Sequence, residues 1–150
     1  MALPRTFIEW DDRFSIKVED IDYQHQELVN IMNRLYQAIV DRTAQSEGPK
    51  ILDDLKIYTI AHFSVEESLM RIFGYEDYEV HKEQHRQLVE ELQEVMLRVE
   101  AGEHHINSDL LIYLRKWLVN HIMHTDVKLG RFLIEQGIGK NKPWYKRIFS

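Results

Sequence analysis

His62-Phe63-Ser64-Val65-Glu66 lies within a longer run, residues 51–73, in which Ile51, Leu55, Tyr58, His62, Glu66, Leu69 and Phe73 recur every three or four positions. That spacing stacks all seven on one face of a helix. The face is otherwise apolar, so it carries an imidazole and a carboxylate into a core. Each is costly there without compensation, and a metal ion is the usual compensation.

Working outward, three further runs have the same period. The first helix is expected to start near Asp20 to Asp22, where an aspartate can cap free N–H groups, with His25, Leu28, Val29, Met32, Leu35, Tyr36 and Ile39 inward. Thr43 to Gly48 reads as a polar loop, and Pro49 suits the first turn of the second helix. Gly74 reads as the left-handed cap that ends that helix, and Asp77 as the cap of a third. The third stripe is His81, His85, Leu88, Leu92, Val95 or Met96, and Val99, closed by Gly102. Asn107 to Asp109 open a fourth helix with Leu110, Leu114, Trp117, Leu118, His121, Ile122, Leu129 and Phe132 inward, stopping by Gly137.

Four helices joined by short loops give an all-α, antiparallel up-down-up-down four-helix bundle. Residues 1–19, with Phe7, Trp10 and Phe14, read as an N-terminal arm whose aromatics lie over the bundle. The expected organisation is a bundle over residues 1–136 and a short C-terminal tail over 137–150. The tail combines Lys140, Lys142, Lys146 and Arg147 with Trp144, Tyr145, Ile148 and Phe149. A segment folding back over apolar surface is favoured there over a docking element for a partner or an anionic membrane surface.

Composition narrows the function classes. The absence of cysteine removes disulfides, thiolate zinc sites and iron–sulfur ligation. A net charge of −6, and about −10 once the four tail cations are set aside, argues against nucleic-acid binding over a generally basic surface. No run has the apolar length of a membrane span, and Met1 to Trp10 has neither a basic nor an apolar leader region. The expected location is cytoplasmic.

Each of the four helices places a histidine on its inner stripe: His25, His62, His81 with His85, and His121. One such histidine would be an ordinary core residue. Five, with Glu66 among them, would each need a separate buried partner on stripes that offer almost only hydrocarbon. A shared metal site satisfies them together. Imidazoles and carboxylates without sulfur suit iron, and also zinc, manganese or copper, but the set exceeds what one zinc takes. His-Glu-x-x-His and Glu-x-x-His are both absent; the nearest spacing is Asp22-x-x-His25, in which Asp22 reads as a cap or a support for the histidine.

Asp22-x-x-His25, His62-Phe63-x-x-Glu66-Glu67, Met70, Gly74-Tyr75, His81-x-x-x-His85 and Trp117-x-x-x-His121-Ile122-x-x-x-Asp126 together resemble the haemerythrins, specifically the single-domain bacterial haemerythrins. The likeness spans about residues 10–132 and is specific, with seven ligand positions in order. It implies a non-haem di-iron centre: two iron ions (Fe2+/Fe3+) with an oxo or hydroxo bridge. His81, His85 and His121 would bind one iron, His25 and His62 the other, with Glu66 and Asp126 bridging. Those ligands fill about eleven of twelve octahedral positions, leaving one open on the two-histidine iron.

Asp126 lies five residues after His121, about 140° round a regular helix. Its assignment therefore predicts that it reaches in from the edge or that the helix widens into a π-bulge between Val119 and Asp126. The resemblance lines the open position with Phe63, Trp117, Leu118 and Ile122, none of which can act as acid, base or nucleophile. A dry apolar pocket of this kind implies reversible dioxygen binding, for storage, delivery or sensing, and not an enzyme; the alternative is a di-iron oxidase, peroxidase or nitric oxide-reactive enzyme. His104 and His105 read as solvated loop residues, His124 as outer support or surface, and Tyr36 and Tyr58 as core.

Overall fold

Periodic burial drives the chain into helices, and short connections reverse its direction after each. The structure, a computed structural model, describes residues 7–139, apart from the side chains at 122 and 123. It has α1 (Glu19–Val40), α2 (Ala44–Phe73), α3 (Tyr78–Glu100) and α4 (Ser108–Asn120), which runs on through a π-helical turn (His121–Asp126) into α5 (Val127–Glu135). Helical backbone angles at Asn120, Asp126 and Val127 make α4, the π turn and α5 one continuous rod. Four rods packed α1 on α2, α2 on α3 and α1 on α4 form the antiparallel four-helix bundle. Among the described residues there is no strand beyond a lone bridge residue at Gly139.

Two apolar cores occupy the bundle, one at each end. The larger gathers Leu28, Met32 and Leu35 of α1, Leu52 and Leu55 of α2, Leu92 of α3 and Leu114 of α4. The other gathers Ile21, Leu69, Met70, Tyr75, Leu129, Leu133 and Ile138. His25, His62, Glu66, His81, His85, His121 and Asp126, the buried histidine and acidic residues, lie on the helices between or beside these two sets.

The described part of the N-terminal arm, from Phe7 on, lies over the bundle. Asn33 pins it: its side-chain oxygen accepts from the backbone N–H groups of Phe7 and Ile8 at 2.9 Å each, and its amide donates to the Ile8 carbonyl at 2.8 Å. Phe7 stacks on Tyr36 with ring centroids 5.6 Å apart, and Ile8, Phe14, Ile16 and Val18 are buried. Asp22 neither caps α1 nor hydrogen-bonds to His25. It accepts from Ser15 Oγ at 2.5 Å and from the Ile16 N–H at 2.8 Å, tying the end of the arm to the first turn of a helix that begins at Glu19.

The predicted endings hold where backbone geometry decides them. Gly74 takes φ 69° and ψ 44°, the left-handed conformation a glycine adopts at least cost, and both its own N–H and that of Tyr75 reach the Met70 carbonyl. Asn107 caps α4 by accepting from the Leu110 N–H at 3.1 Å. Asp77 stands at the N-cap of α3, but its carboxylate pairs with Lys128 instead of capping.

The expected loop at Thr43–Gly48 is helix from Ala44 onward. α2 begins at Ala44, which places Pro49 inside it. Gly48 is a packing residue: a Cβ there would stand 2.4 Å from Ile106 Cδ1, so the α3–α4 connection rests directly on this turn. Residues 140–150 of the expected tail lie outside the described residues. Ile138 belongs to the second core, its N–H bonded to the Leu133 carbonyl at 3.0 Å.

Candidate metal centre

On α2, His62 and Glu66 face the bundle axis one turn apart, as the i, i+4 spacing requires, and are 1 % and 0 % exposed. α1 brings His25, α3 brings His81 and His85, and the fourth rod brings His121 and Asp126. All seven expected residues are buried and converge. Their donor atoms form two groups that share the carboxylates: Glu66 and Asp126 with His81, His85 and His121, and the same pair with His25 and His62.

Asp126 Oδ1 lies 3.0 Å from His121 Nε2 and 3.2 Å from His81 Nε2, while Oδ2 lies 2.8 Å from His25 Nε2. Glu66 Oε1 lies 3.0 Å from His85 Nε2 and 3.5 Å from His62 Nε2. Each carboxylate thus stands between the two histidine groups. The π turn is what brings Asp126 in. With about 4.4 residues per turn, five residues there advance roughly 50° instead of 140°, so Asp126 falls beside His121 and is fully buried.

These atoms crowd without pairing. Both Glu66 oxygens, Asp126 Oδ1, and Nε2 of His81, His85 and His121 have no aligned hydrogen-bond partner, although the nearest approaches are about 3 Å. Buried polar atoms left in this way are costly unless something at their common focus satisfies them. The donor set of imidazole nitrogen and carboxylate oxygen fits a transition-metal ion. The orphaned atoms are therefore suited to holding a metal.

Charge accounts for how the cluster holds together without one. Burial opposes charging of His81 and His121, yet Asp126 and Glu66 outweigh it and hold those rings up at about 9 and about 10. His25 is pushed down by its complete burial, only partly offset by Asp126. Despite burial, and for Glu66 despite the charge of Asp126, the surrounding imidazoles hold both carboxyls well below the usual carboxylate range.

Two supports were not foreseen. Gln24 Oε1 lies 2.6 Å from His62 Nδ1, and Glu67 Oε2 lies 3.0 Å from His85 Nδ1. With Nδ1–H donating to these oxygens, each Nε2 is left free to face the focus. Adjacency to His25 and Glu66 was the available signal, but it does not say which ring each side chain reaches. Phe63 is buried and lies flat on His85 at 3.7 Å, with His121 at 4.9 Å and His62 at 5.7 Å. Trp117 and Leu118 are buried too, the indole N–H donating to the Leu88 carbonyl at 3.2 Å. The side chain of Ile122 lies outside the described residues. His104, His105 and His124 are exposed, and Tyr36 and Tyr58 are half-buried against the larger core.

Comparison with known proteins agrees with this geometry. Residues 17–133 match the family model described as the hemerythrin HHE cation binding domain. A bacteriohemerythrin of Stenotrophomonas maltophilia is 35 % identical over 117 residues, covering 78 % of this chain and 75 % of that protein. One from Methylococcus capsulatus is also 35 % identical, covering 78 % and 88 %, and a myohemerythrin of Theromyzon tessulatum is 31 % identical over 120 residues, covering 80 % and 88 %. A crystal structure of wild-type hemerythrin superposes with a TM-score of 0.78 at 33 % identity, covering 84 % of this chain and 97 % of that one.

Proposed function

The chain belongs to the haemerythrin family, and from that premise we propose that it binds dioxygen reversibly at a di-iron centre, for storage, delivery or sensing. The observation that carries the reading is the division of seven buried donors into two groups sharing Glu66 and Asp126. His81, His85 and His121 would hold one iron and His25 and His62 the other, with the two carboxylates and an oxo or hydroxo group between them. One group offers three imidazoles and the other two, so an iron held by the second would have a position to spare. Iron held there would supply the electrons for reversible dioxygen capture.

The remaining residues orient and exclude. Gln24 and Glu67 fix the rings of His62 and His85. Phe63, Trp117 and Leu118, with Ile122 next in sequence to His121, would keep the open position dry. None of the four carries an acid or base, which favours binding over turnover. No helix among the described residues is long and apolar enough to cross a membrane. We infer a cytoplasmic protein whose basic, aromatic residues 137–150 cover the bundle or meet a partner.

Metal analysis combined with stopped-flow absorbance tests the reading. Two irons per chain are expected, with an oxygenated spectrum that reverses when oxygen is removed. Rapid conversion to the ferric form with continued consumption of reductant would instead favour a di-iron oxidase. His62→Ala should lose oxygen binding while the bundle stays folded, and Glu66→Ala should lose metal more broadly. Two irons and a normal oxygenated spectrum in both variants would overturn the ligand assignment.

A further inference from the structure

Thr59 sits one helical turn before His62 and Phe63, on the same face of α2, and is 1 % exposed. Its hydroxyl has no hydrogen-bond partner. A threonine or serine within a helix ordinarily satisfies itself on the carbonyl four residues back. On this same helix Ser64 does so to Ile60 and Ser68 to Ser64, each at 2.9 Å. Thr59 does not bond to the Leu55 carbonyl or to anything else.

Register places the hydroxyl. α1 and α2 are antiparallel, and His25 Nε2 meets His62 Nε2 at 3.1 Å, so one turn back along α2 is level with Leu28 and Val29 of α1. α2 and the fourth rod run the same way, and Phe63 and His121 lie 4.9 Å apart, so one turn back on that rod are Trp117 and Leu118. Both of these are buried, as are Leu28 and Val29. Among these described residues, the layer over the His25–His62 side of the centre is therefore apolar except for Thr59 and the Trp117 N–H, and the latter is bonded to the Leu88 carbonyl.

We propose that Thr59 is the hydrogen-bonding residue of this pocket: its hydroxyl donates to a small ligand with an acceptor atom that enters beside His62. An orphaned hydroxyl costs stability in the empty bundle, and a ligand bearing a lone pair removes that cost. Capture is thus coupled to satisfying a group that the fold leaves unmet. Threonine also suits the position sterically, since its methyl group continues the apolar wall while its oxygen breaks it at one point. The assignment rests on the di-iron reading above.

Azide is the probe, titrated into the iron-loaded ferric protein as wild type, Thr59→Val and Thr59→Ser. Thr59→Val should bind azide about five- to tenfold more weakly, the size expected for one hydrogen bond, and Thr59→Ser within about twofold of wild type. A second readout needs no metal. Thr59→Val removes the unmet hydroxyl at nearly constant shape, so the metal-free protein should melt a few degrees higher. Equal azide affinity in wild type and Thr59→Val overturns this assignment alone. A lower metal-free melting temperature for Thr59→Val also overturns it, because the hydroxyl would then be satisfied by the fold. A wild-type protein that loads no iron, or binds no azide, overturns the underlying reading and this assignment with it.

Discussion

Before any metal arrives, the centre is held by protons. His81 and His121, kept charged up to about 9 and about 10 by Asp126 and Glu66, stabilise the folded chain fully below the ordinary histidine value of 6.5. That contribution is lost as pH rises from 6.5 through 9 and 10. His25, pushed down by burial, acts the other way: its contribution is present above 6.5 and is lost as pH falls toward its lowered value. Metal-free protein should therefore be most stable near pH 6.5 and weaken progressively up to pH 10, as urea unfolding across that range would show. A flat profile would mean that His81 and His121 are not paired with the carboxylates. At this scale the sequence was most readable for the residues whose burial makes no sense without a partner, namely the five histidines and Glu66. Gln24, Glu67 and Thr59 were not legible, because their roles depend on which atom they reach across a helix interface, which periodicity does not encode.

The fourth rod shows where element-level reading works and where it slips. The five-residue gap from His121 to Asp126 pointed to a widened turn, and that turn is present. The turn also changes which residues of the following helix face inward. A regular helix would put Phe132 about 20° from His121 and Leu133 about 120° away. A wide turn absorbs one residue, which brings Leu129 and Leu133 to within roughly 20° of the His121 stripe and moves Phe132 to the side. Leu133 is accordingly fully buried, while Phe132 lies half-buried against Tyr75. The same helix supplies a test of packing. A Cβ at Gly130 would meet the Ile16 carbonyl oxygen at 2.7 Å and Ile16 Cβ at 2.9 Å, neither of which can swing away. Gly130→Ala should destabilise by about 1–3 kcal/mol. Gly48→Ala meets side-chain atoms of Ile106 alone, Cδ1 at 2.4 Å and Cγ2 at 3.3 Å, and gains about 0.5–1 kcal/mol of helix propensity, so it should cost less than Gly130→Ala. Chemical denaturation of both variants checks the ranking; equal losses would contradict it.

Taken whole, the bundle does not depend on its centre for a core. Apolar clusters at both ends, each drawing on several elements, can hold four helices together while the middle stands empty. Removing metal with a chelator should leave the far-ultraviolet circular dichroism nearly unchanged and lower the melting temperature, by an amount that grows with the metal concentration of the loaded comparison sample. Loss of helicity on chelation would show that the ligands, not the hydrocarbon, organise the fold. The four-rod architecture was legible because stripes and glycine stops are local signals. The junction of α2 with the α3–α4 connection was not, since Gly48 reads as a loop residue until Ile106 is seen resting on it.

His25 and Asp126, whose side chains lie 2.8 Å apart, are separated by 101 positions of chain. Synthesis from the N-terminus therefore makes His25 101 positions before Asp126. Over that interval the growing chain carries imidazoles without the second anion that balances them. A complete donor set exists only after the fourth rod has been made and its wide turn has formed. Assembly of the centre thus has an earliest possible time: it cannot be completed before Asp126 has been made.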